Sequence, residues 1–112
     1  LLYQRRDISV FCAGTNGTNS LEDDVCAGLL MADLTAQHWG WEVSEKEQTL
    51  IELAKPWRKR IYEMLLSSRH GQFLASQGYA DDVRFCSEQS TTDVVPIYRE
   101  GKIVIWHNHE KK

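Results

Sequence analysis

The chain has 112 residues, of which 42% are hydrophobic and 26% charged, with a formal net charge of −3 at neutral pH. That length suffices for one small domain with its own core. The mild acidity disfavours non-specific binding to nucleic acid or anionic membrane, and no apolar run approaches the roughly 20 residues of a membrane span. No signal peptide is visible.

In chain order, Leu1 to Asp7 reads as a polar lead-in with Arg5 and Arg6 solvated. Ile8, Val10 and Cys12 then alternate with Ser9 and Phe11. Both sets are largely apolar, which predicts a strand covered on both faces. The strand breaks at a loop holding Gly14 and Gly17, and a helix from Ser20 to about Gln37 follows. Ser20 is a good N-cap, and Asp23 stands where a capping-box partner belongs. Leu21, Val25, Leu29 and Ala32 mark one helix face, widened by Cys26, Leu30 and Leu34, so the helix is expected to be mostly buried. Gly28 lies inside it. Glycine costs a helix about 1 kcal/mol against alanine, which points to a close helix–strand approach there.

His38 to Trp41 closes that helix and connects to a second one at Ser44, where Ser44 and Glu47 form another capping box. Pro56 must kink or restart the second helix, because it lacks an N–H and clashes with the preceding turn. Trp57, Ile61, Met64 and Leu65 continue an apolar face to about Ser68, with Arg58-Lys59-Arg60 as its solvated side. Gln72 to Ser76 reads as one or two turns stopped by Gly78, and Asp81-Asp82 opens a short helix through Cys86 and Glu88. Val94 to Tyr98, a turn at Arg99-Glu100-Gly101, and Lys102 to Trp106 read as a hairpin, with Pro96 at an edge or strand end. His107 to Lys112 is a polar tail in which His107 and His109 form an H-x-H pair, expected to fray.

Strand, glycine loop and helix start in succession make a place for an anion. The first-turn N–H groups are unpaired and the helix dipole is positive there. The backbone amides of Thr15 to Ser20 and the hydroxyls of Thr15, Thr18 and Ser20 could hold phosphate or sulfonate oxygens. Glu22, Asp23 and Asp24 follow at once, and acidic groups beside an anion site make sense if a hard cation lies between. The plainer reading stands beside this one: the glycines serve turns, and the acids suit the helix dipole. The loop matches neither the Walker nor the dinucleotide fingerprint. Cys12, Cys26 and Cys86 are odd in number and widely spaced, and are expected to be small buried hydrophobes in a reducing compartment, the cytoplasm. Cys12 lacks the longer cradle and nearby Arg of a cysteine-phosphatase loop. The sequon Asn16-Gly17-Thr18 is taken as chance.

These residues resemble the 2-phosphosulfolactate phosphatase family. Ala13-Gly14-Thr15-Asn16-Gly17 and Ser20-Leu21-Glu22-Asp23, followed by Cys26-Ala27-Gly28, are similar to one block of the family's C-terminal half. His70-Gly71, Leu74, Gly78, Asp82, Cys86, Asp93-Val94-Val95-Pro96 and Gly101-Lys102-Ile103 are similar to a second. The resemblance implies a magnesium-dependent phosphatase that turns 2-phosphosulfolactate, a small phosphorylated sulfonate of coenzyme M biosynthesis, into sulfolactate and phosphate. It implies that Glu22 and Asp23 are the catalytic, magnesium-holding carboxylates. Gly14, Thr15, Gly17 and Ser20 would bind substrate, with His70 as a basic group for the sulfonate. His70 read without the resemblance is a helix-ending residue with no site role.

The family's N-terminal half is not among these residues, so residues 1–112 are expected to be the C-terminal portion, inactive alone. The expected fold class is α/β: a mixed sheet with one central strand, flanking helices and a C-terminal β-hairpin, as part of a larger layered domain. Strand Ile8 to Cys12 should pair with a strand from outside the chain or be left as an edge. The missing N-terminal half is thus the expected partner, and a homo-oligomer stays open. The rival reading is a non-catalytic interaction module within an assembly, with the Trp39 to Trp57 segment as its contact surface.

Overall fold

The computed structural model describes residues 7–37 and 40–107. Among them are five α-helices and one hairpin: α1 (Leu21–Gln37), α2 (Glu45–Ala54), α3 (Ile61–Ser67), α4 (Arg69–Ser76), α5 (Ala80–Cys86), β1 (Pro96–Arg99) and β2 (Lys102–Ile105). This is a small α/β arrangement, with its helices and its strands in separate parts of the chain.

The core lies where α1 packs along α2 and α3 leans on both. Val25, Ala54 and Met64 are buried together, with Leu21, Leu29, Trp57, Ile61 and Leu65 packed around them. The stripe of α1 that faces this core is the expected one, but it is narrower. Cys26 and Leu30 stay exposed, because no layer covers that side of the helix. Gly28 does mark a close approach, though its neighbour is helix α2 and not a strand. A Cβ on Gly28 would lie 2.5 Å from the Leu50 carbonyl oxygen and 2.6 Å from the Ala54 Cβ. Trp57 packs against this core, half-buried, with Arg60 stacked over its ring at 5.2 Å. Trp39 and His38 lie outside the described residues, as do Arg5, Arg6 and His109.

The helix boundaries follow local chemistry. Ser44 and Glu47 form the expected capping box at α2. Pro56 ends that helix in a single 3-10 turn, Lys55–Trp57, and the chain restarts at Ile61. The basic run there is exposed or half-exposed, with Arg58 paired to Asp33 at 2.6 Å and Arg60 to Glu63 at 2.7 Å. Ser68 breaks α3 and caps α4, its hydroxyl accepting the Gly71 N–H at 3.0 Å. His70 therefore starts a helix and does not end one. At the far end of α4 the amides of Gly78 and Tyr79 return to the carbonyls of Ala75 and Leu74, with Gly78 at φ +87°. That is a Schellman ending, and it needs the left-handed residue that glycine provides.

The hairpin has the expected position and an antiparallel register, with Tyr98 opposite Ile103 and Pro96 opposite Ile105. Glu100 and Gly101 both take positive φ, which makes the tight turn. The expected mixed sheet is represented by this hairpin alone: among the described residues the sheet has two strands. Ile8 to Cys12 makes no ladder there, because a strand needs a neighbour's amides and carbonyls and none lies beside it. No helix among the described residues is long and apolar enough to cross a membrane.

Candidate functional site

The predicted loop is a miniature hairpin in its own right. Thr15 and Thr18 exchange both backbone hydrogen bonds, at 2.9 and 3.0 Å, across Asn16 and Gly17. Asn16 at φ +51° and Gly17 at φ +78° form the turn. Asn-Gly is the strongest short hairpin signal, and it places these residues in a tight turn, in line with the plainer expectation that the glycines serve turns. Gly14 stands just before the turn at φ +73°, and a Cβ there would lie 2.5 Å from the Thr18 carbonyl oxygen. The Thr18 hydroxyl donates to the Thr15 carbonyl at 2.7 Å.

This turn is tied to the start of α1. Gly14 N–H donates to the Asp23 carboxylate at 2.7 Å, in a half-buried bond between residues nine apart. The Cys12 thiol points at the Asp23 backbone carbonyl at 3.7 Å. Asp23 is thus turned forward onto the loop and does not close the expected capping box on Ser20. The amides of Gly14, Thr15 and Thr18 are used by the molecule itself. Those of Asn16, Gly17, Asn19, Ser20, Leu21, Glu22 and Asp23 have no bond among the described residues, and they lie at or just before the N-terminus of α1, where the helix dipole is positive.

The structure thus brings Gly14, Thr15, Gly17, Ser20, Glu22 and Asp23 into one neighbourhood. His70 stands elsewhere, exposed on the first turn of α4 and stacked against Phe73 at a ring distance of 6.1 Å. Helix α4 packs on α3 and α5, and no described hydrogen bond, ion pair or ring contact links His70 to the loop. Among the described residues, no three His, Cys, Asp or Glu side chains converge as a metal cluster. The three cysteines are exposed, contrary to the expectation of burial, since they lie on sides of the chain that no layer covers. Local desolvation, then the carboxylates of Asp24 and Asp23 and the Cys26 thiol, push the Cys12 thiol up. A raised thiol is a poor nucleophile at neutral pH, which agrees with excluding a cysteine mechanism.

The family model described as 2-phosphosulpholactate phosphatase matches residues 1–101, a stretch that holds this turn, the start of α1, the first motif block and the second as far as Gly101. The chain belongs to that family. A probable 2-phosphosulfolactate phosphatase of Symbiobacterium thermophilum is 33% identical over 99 residues, which are 88% of this chain and 42% of the relative. One from Carboxydothermus hydrogenoformans, also named as probable, is 36% identical over 107 residues, or 94% of this chain and 44% of the relative. The 2-phosphosulfolactate phosphatase of Methanothermobacter thermautotrophicus is 32% identical over 97 residues, 87% of this chain and 40% of the relative. The chain therefore spans about two fifths of the length of these 2-phosphosulfolactate phosphatases. No solved structure matches it.

Proposed function

We propose that this chain is the C-terminal portion of a magnesium-dependent phosphatase that hydrolyses 2-phosphosulfolactate to sulfolactate and phosphate. The observation that carries the reading is the Thr15–Thr18 turn docked on the acidic start of α1, inside a stretch that matches the family. The unbonded amides of Asn16, Gly17 and Asn19 to Asp23, with the hydroxyls of Thr15 and Ser20, are hydrogen-bond donors suited to phosphoryl or sulfonate oxygens. They fix the ester without moving a proton. Of the acidic residues at the start of α1, Glu22 is the one that would hold magnesium, as part of a donor set, since that ion is commonly bound through one or two carboxylates together with substrate phosphate. Bound there, the ion supplies charge neutralisation on the phosphoryl oxygens.

Phosphoryl transfer needs positioning as well as charge, and one turn on one helix end fixes an anion from one side only. The remaining groups are assigned to the polypeptide that relatives carry beyond the matched two fifths. Phosphate release from 2-phosphosulfolactate by the intact enzyme tests this, with and without magnesium. Glu22→Gln is expected to lower kcat/KM at least tenfold while the helical circular dichroism is kept. Undiminished turnover in that variant, or turnover indifferent to a chelator, overturns the assignment. A second reading, an interaction module without catalysis, draws on the exposed apolar face of the hairpin, where Tyr98 and Ile103 are each 77% exposed. An intact protein that binds a partner through that face and releases no phosphate would favour it.

A further inference from the structure

We propose that Asp23 is a positioning residue that latches the Thr15–Thr18 turn onto α1, and that it is not itself a ligand of the cation. The inference rests on the phosphatase reading for what the cation does, but the latch is a property of this chain alone. Glu22 and Asp23 are adjacent on a helix, so their side chains leave it about 100° apart and have different surroundings. Asp23 faces the loop, and its Oδ2 accepts the Gly14 N–H at 2.7 Å. The same residue's backbone carbonyl takes the Cys12 thiol at 3.7 Å, so side chain and main chain of Asp23 both hold the incoming segment. Gly14 is where that segment must stop being extended: it sits at φ +73°, and the two Thr15–Thr18 hydrogen bonds begin one residue later.

The Gly14 amide is half-buried and has no acceptor other than Asp23 among the described residues. A bond from an amide to an ionised carboxylate is among the stronger kinds, and leaving such a donor unpaired is costly. A cation on Asp23 would draw on the carboxylate that holds this amide. The side-chain carboxylates of Glu22 and Asp24 have no hydrogen bond or ion pair among the described residues, so they are the ones left for a cation. The chemical division is simple: Asp23 fixes where the unbonded amides of Asn16 and Gly17 stand, and its neighbours carry the available charge.

The discriminating variants are Asp23→Asn and Asp23→Ala. Asparagine keeps an oxygen acceptor and loses the charge, whereas alanine loses both. Amide hydrogen exchange of the 112-residue chain reads the latch without any turnover. The Gly14 amide should exchange about tenfold faster or more in Asp23→Ala and stay within about threefold of wild type in Asp23→Asn. Titration with magnesium chloride, followed by amide shifts at Leu21 to Asp24, should give the same response in Asp23→Asn as in wild type and a reduced one in Glu22→Gln. The proposal is overturned if Gly14 exchange is unchanged in Asp23→Ala, or if Asp23→Asn loses the magnesium response. The Glu47 amide, held by Ser44 at 3.2 Å, reports whether Asp23→Ala still folds. If it does not, Asp23→Asn alone decides. A wild-type chain with no magnesium response would count against the phosphatase reading, and the exchange result would then judge the latch.

Discussion

Glu22, Asp23 and Asp24 are one acidic run with divided surroundings. Asp23 is spoken for by the Gly14 amide, and Asp24 comes first among the charges that, after desolvation, push the Cys12 thiol up. That shift has a readable consequence. The thiolate is the reactive form, so alkylation of Cys12 should be slow at neutral pH despite its exposure, and should accelerate only above the ordinary thiol range. Rate measurements against pH by mass spectrometry check this; fast labelling at pH 7 would contradict it. Gly14 and Gly17 separate by the same logic. A Cβ at Gly14 meets the Thr18 carbonyl, whereas one at Gly17 meets nothing within 4 Å, although both have positive φ. Gly14→Ala should therefore lower stability by about 1–3 kcal/mol, and more than Gly17→Ala, in urea denaturation. Equal losses would mean that strain in φ is the whole effect.

The helices owe their ends to short polar devices and their places to a few tight contacts. Removing the Ser44 hydroxyl in Ser44→Ala should cost about 1 kcal/mol, since it takes away the acceptor of the Glu47 amide and leaves only the Ser44 N–H to Glu47 carboxylate half of the capping box. Gly28 gives the sharper test, because propensity and packing oppose each other there. Alanine would favour the helix by about 1 kcal/mol. Its methyl would press on the Leu50 carbonyl and the Ala54 side chain, and overpacking of that kind costs about 1–3 kcal/mol. Gly28→Ala is therefore expected to lower the melting temperature. A rise would show that α1 and α2 can separate at no penalty. Arg84 stacked over Tyr62 at 4.2 Å ties α5 to α3, so this end of the bundle is joined by contacts unlike those of the apolar core.

The whole molecule is more open than a finished domain of its size. Its radius of gyration is 16.0 Å, against about 13 Å for a compact domain of this length. Its accessible surface is 9507 Å², where a compact monomer of its mass would expose about 6,300 Å². The excess is apolar in part: Phe11 is 96% exposed, and Tyr98, Ile103 and Ile105 line one uncovered face of the hairpin. An isolated two-stranded hairpin is marginal in water. The 112 residues alone are therefore expected to show no measurable phosphatase activity with magnesium present. Their hairpin amides should exchange quickly, and slow by at least tenfold when the remaining portion of a family member is supplied in trans. Turnover by these residues alone at roughly 1 per second or faster would show that the site is complete within them.

Helix existence, the Ser44 cap, the break at Pro56, the Schellman ending at Gly78 and the hairpin could all be read from sequence, because each depends on residues within about four positions. The family could be read too, because its two motif blocks are local patterns in a fixed order. The acidic pair and the glycine loop were legible as a neighbourhood, but not as a geometry. Which carboxylate turns toward Gly14 depends on how the turn folds back over the helix, nine residues away along the chain. That Gly28 meets a helix, that Trp57 joins the core and that His70 opens a helix apart from the loop were likewise settled by packing. So was the fate of Ile8 to Cys12. Its alternation records a preference for being extended and covered, but a ladder forms only where another strand presents its amides, and no pattern within five residues can provide one.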